Sequence, residues 1–415
     1  MKFDKYPIEG AIKKNLTTLG FIRTTDIQFK AIPSIMAGED VLAIAQTGTG
    51  KTAAFAIPIV NKIHSNKTSK RSLGIQCIVL VPTHELAMQI EEVFKVLAAH
   101  TFVKVHAIYG GVEQDAQIQN LKDGIDVLIA TPGRMFDLIH QGHIKLNRVD
   151  TFVLDEADLM LDLGFIKDIQ AIKFKLIRKH QTLFFSATIN KEIKNLAYSQ
   201  VKHNAIRIQI SPENIVSKNV SHYVLFVKMD DKRFFLQRFI TDHPERRIIV
   251  FVRTRVRAER VAKAMGRVAI DTLCIHGQKD QAERSETLSR FKSGACPILI
   301  ATDLTARGID IPDVNYVINY DLPEQAENYV HRVGRTGRGT KKGEALSFCS
   351  PEEKPRLEEI QQFLDREIEV VKLGKKDYAF TLEHPKAENT LEALRAEIED
   401  WEAMKQKKKR KTKKK

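Results

Sequence analysis

Short runs that are apolar at nearly every position alternate along this chain with longer stretches whose apolar residues recur every three to four positions. In the first half the runs are VLAIAQT, QCIVLVPT, VKVHAIYG, DVLIATP, TFVLDEAD and TLFFSAT; in the second they are RIIVFV, LCIHG, PILIATD, YVINYD and ALSFCS. A strand apolar on both sides has to be covered on both faces, which is the condition of a parallel sheet flanked by helices. The alternation therefore predicts an α/β protein with two lobes of similar size, without a visible sequence repeat. QISPENIVSKNVSHY carries a proline, two asparagines and no helical period, so a linker is expected over 210–219. The lobes then occupy 30–209 and 220–380, with a separate segment over 1–29 before them. Beyond residue 380, Leu391, Leu394, Ile398 and Trp401 follow a 3-4-3 spacing, one stripe of an amphipathic helix within 381–404, and Asn389 with Glu392 can form its capping box. That stripe either packs back on the body or docks a partner; it lasts only about two heptads.

Composition narrows the class. At 415 residues the chain exceeds a single ordinary core. Its 43% hydrophobic and 28% charged residues exclude a disordered protein. No apolar run approaches the roughly 20 residues of a membrane span. MKFDKYPIEG lacks the apolar core of a secretory signal, so a cytoplasmic protein is expected. Cys77, Cys274, Cys296 and Cys349 are scattered without a C-x-x-C pair, the pattern of buried thiols in a reducing compartment. The net charge of +14 points to a polyanionic partner, but KQKKKRKTKKK over 405–415 holds nine of those cations, leaving 14 − 9 = +5 for the rest. A basic tail either contacts nucleic acid or is a solvated charge run.

Two motifs carry chemistry. AQTGTGKT, Ala45 to Thr52, follows a predicted strand and precedes a predicted helix. In that setting Gln46, Thr47, Gly48, Thr49 and Gly50 can wrap phosphates with backbone N–H groups; Lys51 reaches the β/γ oxygens and Thr52 can ligate magnesium. Ala45 departs from the general G-x-x-x-x-G-K-[ST] pattern at its first position. In VLDEAD, Asp155 and Glu156 end an apolar strand, where one carboxylate can sit on a magnesium shell and the other beside an attacking water. The pair of motifs predicts a nucleoside triphosphatase. No Asn/Thr-Lys-x-Asp element selects guanine, and Gln28 in GFIRTTDIQ is available for adenine's Hoogsteen edge.

AQTGTGKT, PTHELAMQ, the glycines of YGG, TPGR, DEAD, SAT, VFVRT, ATDLTARGID and HRVGRTGR stand in the order found in DEAD-box ATP-dependent RNA helicases, and the chain resembles that family over residues 3–375. Its compact body and short basic tail resemble the bacterial RhlE-type subgroup. The resemblance implies two tandem RecA-like lobes that close over ATP and single-stranded RNA, with ATP and magnesium as cofactors. Partners implied are single-stranded and short duplex RNA and ribonucleoprotein complexes. It assigns Lys51 and Thr52 to phosphate and magnesium, Asp155 to magnesium and Glu156 to the hydrolytic water. Gln28 would read adenine, with Phe3 and Phe21 in its pocket. Gly308 and Asp310 would join the nucleotide set. Arg335 and Arg338 would act as arginine fingers on the γ-phosphate, with His331 linking to the water and DEAD; the alternative for that cluster is the RNA backbone. Asp158, Ser186 and Thr188 would couple hydrolysis to strand separation. The RNA backbone would cross Pro82, Thr83, Gly110, Gly111, Thr131, Gly133 and Arg134, then Arg253, Thr254, Gln281, Arg284 and Thr302. Three positions depart from the family pattern: Thr24 replaces a usual proline, His84 an arginine and Thr305 an alanine. A DNA helicase or translocase, or a non-hydrolysing ATP-dependent RNA clamp, are the alternatives; intact Glu156, His331 and Arg335 argue against the clamp.

Overall fold

The computed structural model describes residues 1–383 apart from Thr47, Lys70, Leu73, 189–190, 211–218, 307–313 and 338–340, and apart from the side chains of Leu304 and Ala306. The expected linker lies mostly outside the described residues, and the expected helix within 381–404 and the tail over 405–415 almost wholly so. The chain forms two compact units, the first within Met1–Glu213 and the second beginning at Asn214.

In the first unit the strands are β1 (Val41–Ile44), β2 (Cys77–Leu80), β3 (Val105–Ile108), β4 (Val127–Ala130), β5 (Thr151–Leu154), β6 (Gln181–Ser186) and β7 (Ile206–Gln209). They make one sheet in the order β3-β4-β2-β5-β6-β1-β7, every pair parallel. Alternate residues feed two cores. Val41, Ala43, Cys77, Val79, Val153, Leu183 and Phe185 face one side; Leu42, Ile44, Ile78, Leu80, Phe152, Leu154 and Phe184 face the other. Burial on both faces is what fills these short runs with apolar residues.

The second unit repeats the plan with β8 (Val220–Phe226), β9 (Ile248–Val252), β10 (Leu273–Ile275), β11 (Ile298–Thr302), β12 (Tyr316–Asn319), β13 (Gly343–Cys349) and β14 (Glu369–Val370). Its sheet runs β10-β11-β9-β12-β13-β8-β14, again parallel throughout. Three strands differ from the sequence reading, the first being the edge strand β14, two exposed residues too short to show a pattern. The edge strand β7 buries only Ile208 and so has no apolar run to betray it. β8 alternates apolar and polar positions and begins at Val220, so the last residues of NVSHY are strand rather than irregular linker.

The four cysteines are free thiols, Cys274 half-buried and the others buried. Burial pushes all four thiols up, Cys349 to about 11. Among the described residues, no helix is long and apolar enough to cross a membrane.

Candidate functional site

A parallel sheet places every strand's carboxyl end on one rim, where the following loop can meet a ligand. In the first unit the candidate residues that follow a strand collect there. Lys51 follows β1, Pro82 and Thr83 follow β2, and Gly110 and Gly111 follow β3. Thr131, Gly133 and Arg134 follow β4, Asp155 and Glu156 follow β5, and Ser186 and Thr188 close β6.

After β1 the chain turns through Gly48 (φ 81°) and Gly50 (φ 92°), conformations that suit residues without a Cβ. Gly50 caps the helix Lys51–Ser65, and a Cβ there would collide with the Gln28 amide. The turn is further tied by Thr49 Oγ1, which donates to the Gln46 carbonyl at 2.7 Å. Lys51 is buried at 6% exposure, and its Nζ has no hydrogen-bond partner among the described residues. A buried ammonium without a hydrogen bond, behind a glycine turn and near the Asp155 carboxyl, has donors free for an anion's oxygens.

Gln28 lies in the helix Asp26–Met36, buried, with its amide in use twice. Its Oε1 accepts from Thr25 N at 3.0 Å, closing a capping box, and its Nε2 donates to the Gly50 carbonyl at 3.2 Å. The sequence singled out Gln28 but not this hold on the phosphate turn. Phe3 is buried and stacks on half-exposed Phe21, ring centroids 6.4 Å apart. Thr24 donates its backbone N–H to the Met1 carbonyl at 3.0 Å, a bond proline could not make.

At the end of β5, burial pushes the Asp155 carboxyl up to about 7; the Lys51 ammonium opposes that and Glu156 adds to it. Glu156 has left-handed backbone (φ 49°, ψ 49°) and donates its N–H to Asp155 Oδ1 at 2.9 Å. Asp158, buried in the next turn, accepts from Ala187 N at 3.2 Å and from Thr188 N and Oγ1 at 3.1 Å. Ser186 Oγ donates to the Thr188 carbonyl at 2.9 Å. DEAD and SAT, 30 residues apart at the Asp158–Thr188 bond, are thus one hydrogen-bonded unit.

Thr83 caps the helix His84–Leu97 by accepting from Leu86 N, and the half-buried His84 ring stacks on Tyr109 at 5.6 Å. Thr131 stands at the N-cap position of Pro132–His140 without a side-chain cap bond, and Arg134 donates to the Val112 carbonyl at 2.7 Å. Gly111 has positive φ, whereas a Cβ on Gly133 would meet nothing within 4 Å.

The second unit uses its own rim in the same way. Arg253 and Thr254 follow β9, Gln281 and Arg284 lie beyond β10, and Thr302 ends β11. Arg253 is held internally on Glu353, Nη2 to Oε1 2.9 Å, and Thr254 caps Arg255–Gly266 as Thr83 caps its helix. Thr302 Oγ1 pairs with buried Thr305 Oγ1 at 2.9 Å, which gives the substituted hydroxyl a partner. His331 and Arg335 are buried on and just beyond the helix Ala326–Val333, and Arg335 Nε donates to the His331 carbonyl at 3.2 Å. Between them Arg332, overlooked in the sequence reading, binds both oxygens of Asp303 and the Asp321 and Asn319 oxygens. Its signal was available: Asp303 follows an apolar strand directly, as Asp155 does. Thr47, Gly308, Asp310 and Arg338 lie outside the described residues.

The sequence matches the DEAD/DEAH box helicase family over residues 25–196 and the Helicase conserved C-terminal domain family over residues 231–340. The DEAD-box ATP-dependent RNA helicase RhpA of Helicobacter pylori is 38% identical over 377 residues, covering 89% of this chain and 74% of RhpA. This chain belongs to the DEAD-box ATP-dependent RNA helicases. Another DEAD-box relative, CshA of Bacillus subtilis, is 38% identical over 96% of this chain and 79% of its own length. Among solved DEAD-box structures, S. cerevisiae Dbp5 bound to RNA and ADP BeF3 superposes with a TM-score of 0.82 at 29% identity, covering 93% of this chain and 98% of that one. Mss116p bound to ssRNA and AMP-PNP gives 0.83 at 26% identity, with 94% and 83% covered. The helicase uses ATP.

Proposed function

We propose that the first unit's rim holds ATP and that the loops beyond it hold an RNA strand by its backbone, so that hydrolysis drives local unwinding of short duplexes or remodelling of RNA–protein complexes. The observation that carries this is the buried Lys51 ammonium, unpartnered among the described residues, behind the Gly48–Gly50 turn and beside Asp155 and Glu156. Triphosphate oxygens supply the missing charge. Gln28, already bonded to Gly50, has one N–H and one lone pair left for adenine.

The residues also fit magnesium. Thr52 and Asp155 are hard oxygen donors, and a carboxyl lifted to about 7 by burial ionises fully once a cation compensates it. Bound there, magnesium would neutralise charge on the phosphate oxygens. Glu156, aimed by its left-handed backbone, positions the water and receives its proton. Lys51 stabilises charge on the transferred phosphoryl group. Asp158 ties this centre to Thr188 through hydrogen bonds that a change at the phosphate can strain. His331 and Arg335 keep the hydrolytic role implied by the family likeness. Their burial supports a fixed geometry rather than a solvated arginine.

Recognition of RNA relies on Thr, Gly and Arg side chains and backbone groups, which hold a strand without reading its sequence. The neighbours Dbp5 and Mss116p, whose structures contain RNA, support that substrate. The RhlE-type assignment rests on the compact body and short tail, whereas the relatives compared above are RhpA and CshA. A cytoplasmic location is supported by the four cysteines, all of which are free thiols, as a reducing compartment keeps them. The deciding experiment is ATPase stimulation by single-stranded RNA and DNA of equal length. RNA should stimulate turnover and DNA should not; equal stimulation would favour a DNA translocase.

A further inference from the structure

The segment Arg253–Arg267 carries six Lys or Arg and one acid, and only its first two residues enter the site described above. The structure shows where the others go. The helix Arg255–Gly266 starts at the carboxyl end of β9 and runs away from the rim. Along it lies an open groove of about 590 Å³, lined at one end by Thr254 and at the other by Arg267, with Arg260 and Lys263 between. Arg257 also lines it but is committed to Asp321 at 2.7 Å and to the face of Tyr320. Arg260, Lys263 and Arg267 are exposed and have no acidic partner among the described residues. Glu259, the helix's acid, reaches His276 at 3.3 Å and does not line the groove. Asp230 is the acid that does, against five cations.

We propose that this groove is a second RNA surface, which takes the sugar-phosphate backbone of RNA extending past Thr254. The inference rests on the reading that the chain binds RNA. At about 1.5 Å per residue, Thr254 to Arg267 spans about 20 Å, room for several nucleotides of backbone. The gaps of three and four residues set the free cations about 4.5 and 6 Å apart along the axis. A ladder of that kind suits repeated phosphates. It suits a protein partner less well, because the buried core of a protein interface centres on apolar anchors and is depleted in charge. Of the groove's apolar lining, Val256 is the side chain that stands well exposed.

The test compares the full-length chain with Arg260→Gln/Lys263→Gln/Arg267→Gln, using RNAs of about ten and about thirty nucleotides in salt titrations with a non-hydrolysable ATP analogue. Three lost contacts at about 0.7 each should flatten the salt slope on the long RNA by about 2 and weaken binding roughly tenfold. Affinity for the short RNA, and ATPase at saturating short RNA, should stay at the parent level. The single Lys263→Gln variant, expected to lose about a third of that slope change, keeps the test intact if the triple variant folds poorly. An unchanged slope on the long RNA overturns the proposal, as does equal weakening on both RNAs. Loss of an acidic protein partner with both slopes intact would assign the groove to protein. A parent chain that binds neither RNA would overturn the functional reading itself, an outcome separate from any failure of the groove.

Discussion

Glu156 is, among the described candidate residues other than glycine, the one with left-handed backbone. That geometry costs an ordinary side chain on the order of 1–2 kcal/mol, and its persistence at the rim marks a carboxylate whose direction matters. Glu156→Gln keeps size and backbone but cannot take a proton. Phosphate release should fall at least a hundredfold, within the roughly 10²–10⁴ range of general-base contributions, while nucleotide affinity changes little and protein accumulates on RNA. Normal phosphate release in stopped-flow or steady-state assays would remove Glu156 from the water. Residue identities at this scale were legible, because phosphate turns and acid-ended strands have few substitutes. Their surroundings were not. The bonds of Gln28 to Gly50 and Thr25, the stacking of His84 on Tyr109 and the Thr24 N–H to Met1 join residues brought together by folding.

At the level of elements, the helix Ala326–Val333 is bound to its sheet by polar contacts as well as apolar ones. Tyr329 hydroxyl meets His222 Nδ1 on β8 at 2.9 Å, and Arg332 reaches Asn319 on β12, which bonds Ser347 on β13 at 3.1 Å. Burial, with Arg366 adding to it, pushes the His222 imidazole down to about 4 from 6.5. Between those values the unfolded chain binds the proton and the native chain does not, so stability is complete above pH 6.5 and declines as pH falls towards 4, by about 3 kcal/mol in all. His222→Phe should flatten that slope in denaturant titrations across the window; an unaltered slope would place the titration elsewhere. A second buried pair anchors Arg253: Lys232 Nζ lies 2.5 Å from Glu353 Oε2. Burial works to raise the Glu353 carboxyl, but the charge and hydrogen bond of Lys232, with the Ser350 and Leu322 N–H groups, together hold it below the usual carboxylate range. Glu353→Gln leaves that buried ammonium with only the more distant Asp321 carboxylate at 3.8 Å and should destabilise the protein by about 3 kcal/mol, read as a lower unfolding midpoint. Nothing in the sequence signalled these links, since a histidine in NVSHY and a glutamate in SPEE look like surface. Strands apolar on both faces announced themselves, whereas β7 and β8, part polar because they lie at or near a sheet edge, did not.

Across the whole molecule, one plan occurs twice: seven parallel strands, with a threonine capping the helix after β2 in one unit and after β9 in the other. The charge is distributed less evenly. Nine of the net +14 belong to 405–415, so truncation there should weaken RNA binding with little sequence preference and flatten its salt dependence. Basal ATPase should stay near the parent level, and a salt slope identical to the full chain's would leave those cations as solvated charge. The cysteines have a practical consequence for watching such a machine. Thiol reagents attack the thiolate, and burial holds all four native thiols protonated at neutral pH. A pair of cysteines engineered onto exposed positions, one in each unit, would therefore take maleimide dyes in preference to the native four, and fluorescence energy transfer on single molecules could follow the ATP cycle without first stripping the wild-type sulfur from the core.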